Sequence, residues 1–299
     1  MKQFNTIIDF LNYFKNENIC RKYLKKIRFR NGEFCPYCHH RKIYSFSDGI
    51  RYKCAQCRKI FTLKVGTIFE SSRISLKKWF LAIYLLSTGK KGISSIQLGR
   101  QVGVTQKTAW FMYHRIRNTY TQKKSILSGT VEIDETYIGG KNKNRHKNKK
   151  IKNSQGRSTK VKTPVFGLAN REGKFKAQKV EKINKKTIKE IIKKNVKNGS
   201  LLYSDEYNIY KKVTHKRVNH SNGEYVRGAV HTNTIESFWA LFKRGYIGIY
   251  HYMSRKHLQR FINEFIYRIN NKLLSNFDIV KKALLNVEGH LSYKELING

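Results

Sequence analysis

The sequence predicts an α/β protein with small modules ahead of its main sheet, and three observations point that way. The second half alternates strand-like and helix-like patterns in an order that suits one mixed sheet flanked by helices. Two cysteine pairs in the first 60 residues sit at the spacing of a metal-bound ribbon. Between these regions, two short helical segments meet at a glycine.

Residues 1–30 read as helical, with Phe4, Ile7, Ile8, Leu11, Phe14, Tyr23, Leu24 and Ile27 at helical spacing. In "CPYCHHRKIYSFSDGIRYKCAQC", Cys35 and Cys38 form one knuckle and Cys54 and Cys57 the other, with 15 residues between the pairs. That length accommodates a hairpin pairing Ile43–Phe46 with Tyr52, as in a four-thiolate zinc ribbon. One zinc ion is expected, and its role is structural, because four thiolates leave no coordination position open to water. The fifth cysteine, Cys20, is a small apolar residue in this reading. An apolar helix follows from Trp79 to Leu86. In "SSIQLGRQVGVTQKTAWFMYHRIR", Ser94 caps one helix, Gly103 permits a tight turn and Thr105 caps the next. This is a helix-turn-helix pattern whose second helix presents Gln106, Lys107, His114, Arg115 and Arg117 as candidate DNA contacts.

From residue 126 the period changes. "GTVEIDETYIGG", "TPVFGLAN" and "FKAQKV" read as a three-stranded meander, "NKKTIKEIIKKNVKNG" as a helix and "SLLYSDEY" as a buried strand. "HTNTIESFWALFKRG" and "SRKHLQRFINEFIYRINNKLL" are further helices, the first starting near Thr232 or Asn233. Three strands, a helix, a fourth strand and more helices is the order of an RNase H-like domain. The reading thus divides the chain into an N-terminal helical segment (1–30), a zinc ribbon (31–70), a helical and helix-turn-helix DNA-binding region (71–125) and an RNase H-like catalytic domain (126–299). A tract without hydrophobic period, 141–162, is expected to be a mobile loop that orders against phosphates, through Lys143, Arg145, Lys147, Lys149 and Lys150.

Charge names the partner. The 299 residues carry 62 Lys and Arg against 19 Asp and Glu, a formal charge of +43, which implies a polyanion, with nucleic acid ahead of a membrane surface. No run approaches the ~18 apolar residues of a membrane span, and the amphipathic N-terminus has no cleavage site, so an intracellular, nucleoid-associated protein is expected.

Against this basic background the acids stand out. Asp134 and Asp205 lie near the ends of the first and fourth strands of the domain, 71 positions apart, and Glu236 lies in the first turns of a helix. Adjacent strands would bring the two aspartates together. Two like charges 4 Å apart repel by about 4 kcal/mol at an effective dielectric of 20, so such a cluster persists only with bound cations or raised pKa values. Mg²⁺ or Mn²⁺ is the expected cation. Two such ions suit in-line attack on phosphorus. Glu132 and Asp134 share one strand face and Glu135 takes the other, and only one of the three need be a ligand. Glu206 reads as surface charge. Asn233, Glu236 and Lys243 stack on one helical face, where Lys243 and Arg244 can meet a phosphate.

"CPYC…CAQC", "GTIFESSRISLKKWFLAIYLL", "VEIDETYIGG", "TPVFGLAN", "YSDEY" and "HTNTIESFWALFKRGYIGIYHYMSRKHLQRFINEFIYR" together resemble the ISXO-type insertion-sequence transposases of the DDE superfamily, in order from about 30 to 290. The resemblance implies divalent metal and cutting or strand transfer at the inverted-repeat ends of a mobile element and into target DNA. It carries the first two catalytic acids onto Asp134 and Asp205. For the third, the family pattern often has Asn followed by Lys, which sets Asn233 against Glu236, with Lys243 downstream; an anionic ligand favours Glu236. Paired-end chemistry implies a homodimer or higher oligomer on DNA. Two other functions share these modules: a DNA-binding regulator that has lost catalysis, and a structure-selective nuclease.

Overall fold

The computed structural model describes residues 3–122, 125–140, 142–152, 154, 158–205, 216–217 and 231–298. Glu206 lies outside the described residues, as do the side chain of Lys143 and several positions of the basic tract. The elements run α1 (Ile7–Tyr13), α2 (Glu17–Arg28), β1 (Ile43–Ser45), β2 (Arg51–Cys54), β3 (Ile60–Thr62), α3 (Leu76–Thr88), α4 (Ser95–Val102), α5 (Gln106–Thr119), β4 (Thr130–Ile138), β5 (Thr163–Asn170), β6 (Phe175–Lys179), α6 (Lys185–Asn195), β7 (Leu201–Ser204), β8 (Lys216–Arg217), α7 (Asn233–Gly245), α8 (Leu258–Asn270), α9 (Asn276–Leu284) and α10 (Tyr293–Asn298). They form two compact units, Met1–Thr121 with Leu273–Gly299, and Gln122–Lys272.

In the first unit the N-terminal helical segment is two helices: the first ends at Tyr13 with Phe14 as its C-cap, and Asn16 caps the second by accepting from the Ile19 N–H at 3.0 Å. Phe4, Phe10 and Phe14 are buried, whereas Ile7, Ile8 and Leu11 are exposed. The ribbon is an antiparallel sheet of order β1-β2-β3, with Ser45 opposite Tyr52 as the hairpin reading requires. The helix-turn-helix is formed by α4 and α5. Ser94 and Thr105 cap the two helices, and Gly103 takes the left-handed conformation between them at φ 67°.

The unit boundary departs from the sequence expectation. Residues 273–299 belong with the N-terminal modules rather than with the 126–299 domain. α9 packs on α3, and the Phe277 ring lies 5.1 Å from Phe4. Backbone bonds Ile68 N–H to Val287 O and Gly289 N–H to Gly66 O, both 2.9 Å, close the return. No local pattern encodes such distant pairing.

The second unit holds a five-stranded sheet of order β6-β5-β4-β7-β8. β4, β5 and β6 form the antiparallel meander, and β7 joins β4 in parallel. One face packs Val165, Ala169, Phe175 and Ala177 against Ile235, Phe238, Trp239 and Phe242 of α7 and Phe265 of α8. The other packs Val131, Ile133, Phe166 and Leu168 against Ile188 and Ile191 of α6. The order and directions are those of an RNase H-like fold, with helices on both faces.

Edge strand β6 is closed by side-chain amides. Asn270 exchanges hydrogen bonds with the N–H and C=O of Phe175 at 2.8 and 2.9 Å, and Gln122 does the same at Ala177 at 3.2 and 2.6 Å. Gln259 accepts from the Lys179 N–H at 2.7 Å. These amides occupy the positions an added strand would need.

Residues 142–152 of the basic tract take local turn structure. Two short 3-10 turns form there, and the Asn142 side chain donates to Ile151 O at 2.8 Å and accepts from its N–H at 3.1 Å. Among the described residues no helix is long and apolar enough to cross a membrane.

Candidate active site and zinc centre

Alternation along β4 puts Glu132, Asp134 and Thr136 on the face that α7 covers. The parallel pairing of β4 with β7 sets Glu132 opposite Tyr203. Asp134 follows Glu132 by two residues and Asp205 follows Tyr203 by two, so the two aspartates leave neighbouring strands in one row. The register thus brings together acids that are 71 positions apart.

Electrostatics records the meeting. The Asp134 carboxyl is held well above the ordinary carboxylate range by burial first, then by the charges of Glu135, Asp205 and Glu236, against a lowering backbone hydrogen bond at Glu135. Glu236 stands exposed in the first turn of α7, where its Oε1 accepts from Thr232 Oγ1 at 2.6 Å. Asn233, the first residue of the helix, is exposed too. Lys243 and Arg244 are exposed in the last turn.

What lets α7 lie so close to the sheet is a missing side chain. Gly167 of β5 is the register partner of Asp134, and a Cβ placed there would meet Trp239 Cζ2 at 2.4 Å and Ile235 Cδ1 at 3.0 Å. Gly167→Ala is therefore expected to displace α7 from the sheet and destabilise the unit by about 1–3 kcal/mol, as core overpacking does. Glu236 shifts with the helix. Chemical denaturation checks the stability, and an unchanged midpoint would show that the helix does not rest on this glycine.

Glu132 is not available to a metal. It is fully buried, accepts from Thr234 Oγ1 at 2.8 Å and from the Ile235 N–H at 2.9 Å, and pairs with Arg171 Nε at 3.1 Å. Arg171, His231 and Gly167 escaped the sequence reading. A glycine inside "TPVFGLAN" is the signal that could have found the last, since an interior strand glycine marks close approach of a neighbour.

Among the candidate DNA contacts, Gln106 and Lys107 are exposed at the start of α5, and Arg145, Lys147, Lys149 and Lys150 are exposed in the basic tract. Arg115 and Arg117 require correction. Both are buried, with 3% and 1% exposure. Arg115 donates to the carbonyls of Ile68, Glu70 and Leu291 at 2.9, 2.6 and 2.9 Å, and Arg117 lies over the Tyr113 ring at 4.7 Å. His114 is buried as well. Arg115 thus ties α5 to residues 68, 70 and 291, and neither arginine faces a groove.

In the ribbon, Cys35 and Cys57 sulfurs stand 3.7 Å apart and Cys38 and Cys54 sulfurs 3.5 Å apart. A tetrahedral zinc with Zn–S bonds of about 2.3 Å sets its sulfurs about 3.8 Å apart, while a disulfide needs about 2.05 Å, so the cluster fits zinc and not a pair of bridges. Burial opposes ionisation of Cys54, but the N–H groups of Cys57 and Gln56 and the Cys38 thiol bring it down to about 7. At Cys38 a hydrogen bond at His40 pulls downward, yet burial and the other three sulfurs carry the thiol to about 11. The four sulfurs are the one set of three or more potential ligand atoms that lie mutually within 4.8 Å among the described residues. Asp134, Asp205 and Glu236 are not gathered within that distance of one another.

Fold and centres together define an RNase H-like domain joined to a zinc-binding module. Comparison with known proteins agrees. Residues 126–270 match the ISXO2-like transposase domain, and residues 15–60 match the transposase zinc-ribbon domain. A relative described as an uncharacterized protein in transposable element ISH50, from Halobacterium salinarum, is 31% identical over 247 residues, covering 77% of this chain and 83% of that one. The chain belongs to the ISXO2-like family of insertion-sequence transposases. A chain from a pre-cleavage Mos1 transpososome aligns over 96% of this chain and 98% of its own at 12% identity, with a TM-score of 0.24, too low to carry any conclusion.

Proposed function

We propose that this transposase binds the terminal inverted repeats of its element and carries out metal-dependent strand cleavage and strand transfer into target DNA at Asp134, Asp205 and Glu236. The observation that carries the reading is the β4–β7 register with the raised carboxyl of Asp134. Three carboxylates that repel one another in a basic chain have the donor chemistry of a site for Mg²⁺ or Mn²⁺. Bound there, two such ions would activate the attacking oxygen and stabilise the leaving one. Asp134 and Asp205 would hold them from the side of the sheet and Glu236 from α7. Asn233 offers a neutral oxygen one turn away. Lys243 and Arg244 neutralise the neighbouring phosphates.

End recognition falls to the zinc ribbon and the exposed start of α5, with Gln106 and Lys107 toward the bases, while Arg145, Lys147, Lys149 and Lys150 hold the backbone. Lys143 joins them on sequence grounds. Two protomers or more assemble on the paired ends, and the work is done on the nucleoid.

The test is a labelled inverted-repeat duplex with Mg²⁺ or Mn²⁺. Nicking at the repeat ends supports the proposal. Binding without nicking under any divalent ion favours a regulator, and cutting of branched DNA without preference for ends favours a structure-selective nuclease. Neutralising Lys147, Lys149 and Lys150 to Gln is expected to reduce the salt slope of binding by about 0.9 for each phosphate that a lysine no longer neutralises, leaving sequence preference intact. Titration across salt concentrations reads both, and an altered preferred site would contradict the assignment.

A further inference from the structure

We propose that Glu132 is a positioning residue that fixes the carboxylate of Glu236 relative to that of Asp134, through a clamp of Glu132, Arg171 and His231 on the N-terminus of α7. The inference rests on the active-site reading above and adds a residue to it.

The first turn of a helix leaves backbone N–H groups without intrahelical partners, and the side chain of the N-cap residue ordinarily meets one of them. At α7 that residue is Thr232, and it makes no such bond. Its hydroxyl donates to Glu236 Oε1 instead. The missing cap comes from 103 positions earlier in the chain, where Glu132 Oε2 accepts the Ile235 N–H at 2.9 Å. The other oxygen accepts from Thr234 Oγ1 at 2.8 Å. A carboxylate here also faces the positive end of the helix dipole.

A fully buried carboxylate beside Asp134 is costly unless cations answer it. Arg171, in the turn after β5, does so at 3.1 Å, and His231 Nδ1 stands 3.5 Å away. Arg171 Nη2 also donates to the His231 carbonyl at 3.2 Å, which holds the chain just ahead of the helix. Sheet and helix are thereby tied two residues from Asp134 and one residue from Glu236. Thr232 extends the tie to the Glu236 carboxylate itself. The arrangement also says why "EIDE" carries two acids on one face: Asp134 is left for the cation, and Glu132 holds the helix that brings the third carboxylate.

The test uses Glu132→Gln, which keeps the shape and an acceptor for the Ile235 N–H but removes the charge that holds Arg171. In the full-length, zinc-loaded protein, Mn²⁺ affinity is read by electron paramagnetic resonance, beside thermal stability and binding of end DNA without added Mn²⁺ or Mg²⁺ and without chelator. Mn²⁺ affinity is expected to fall about 10- to 100-fold, as for other residues that orient metal ligands, with end binding unchanged. A folded Glu132→Gln protein that binds Mn²⁺ within twofold of wild type overturns the proposal, even if it melts earlier, because a purely structural role moves only stability. If Glu132→Gln does not fold, Thr234→Val decides: it removes one bond to the clamp, a weaker Mn²⁺ affinity supports the proposal and an unchanged one overturns it. Asp134→Asn separates the two claims. Loss of Mn²⁺ there, with retention in Glu132→Gln, removes the clamp alone, whereas retention in Asp134→Asn removes the metal site.

Discussion

Asp134→Asn is expected to lower the rate of strand cleavage in Mg²⁺ by at least about 10³-fold, the scale on which removal of a central catalytic group acts. Binding of end DNA is expected to persist, because the base-reading and phosphate contacts assigned above lie elsewhere. The same substitution is expected to stabilise the metal-free protein at neutral pH. Burial and the charges of Glu135, Asp205 and Glu236 raise the Asp134 carboxyl in the folded state. Between the unfolded carboxyl value, about 3.9, and that raised value, the native protein binds more protons than the unfolded chain, so stability falls as pH rises through this window. Asparagine removes the dependence, since it carries no charge to desolvate or repel. Metal acts in the opposite sense: free Mn²⁺ at 100 times its Kd stabilises the wild type by about 2.7 kcal/mol, and the variant loses most of that gain. Thermal melts with and without Mn²⁺, over a pH series, read all three effects. A variant that cleaves at the wild-type rate would remove Asp134 from the mechanism.

Removal of zinc is the second large effect. Structural zinc contributes about 10–16 kcal/mol of apparent binding free energy in small thiolate modules, more than three short strands can replace. The ribbon does not stand apart from its unit: Arg28 of α2 donates to Leu63 O at 2.6 Å, and the Phe29 and Tyr52 rings meet at 6.0 Å. Strong chelation, or Cys35→Ser with Cys54→Ser, is therefore expected to unfold β1–β3 and loosen the C-terminal end of α2, and with them end recognition. The unit Gln122–Lys272 draws no ligand from the ribbon and is expected to keep its fold. Hydrogen exchange resolved along the chain makes the measurement. Protection that disappears equally in β4–β6 would contradict this independence.

Where the determinants are local, the sequence was readable. Cysteine spacing announces the ribbon, and Ser94, Gly103 and Thr105 punctuate the helix-turn-helix as their backbone preferences require. The aspartate pair was readable one level up, because strand order alone sets Asp134 beside Asp205. What stayed hidden depends on distant partners. Arg115 and Arg117 look like exposed cations in a recognition helix, but the carbonyls that receive Arg115 come from residues 68, 70 and 291. Alternation puts Glu132 and Asp134 on one face without saying which would meet the start of α7. The return of residues 273–299 to the N-terminal unit, and the two-residue strand β8, carry no periodic signal long enough to read.

The central claim is that acids from two strands and a helix share divalent metal. Anomalous diffraction at the manganese edge, from crystals of the protein bound to its repeat-end duplex and soaked in Mn²⁺, examines it directly. Scattering peaks coordinated by Asp134, Asp205 and Glu236 beside the scissile phosphate are expected. Peaks elsewhere, or carboxylates turned away from one another with no scatterer between them while DNA is bound, would contradict it.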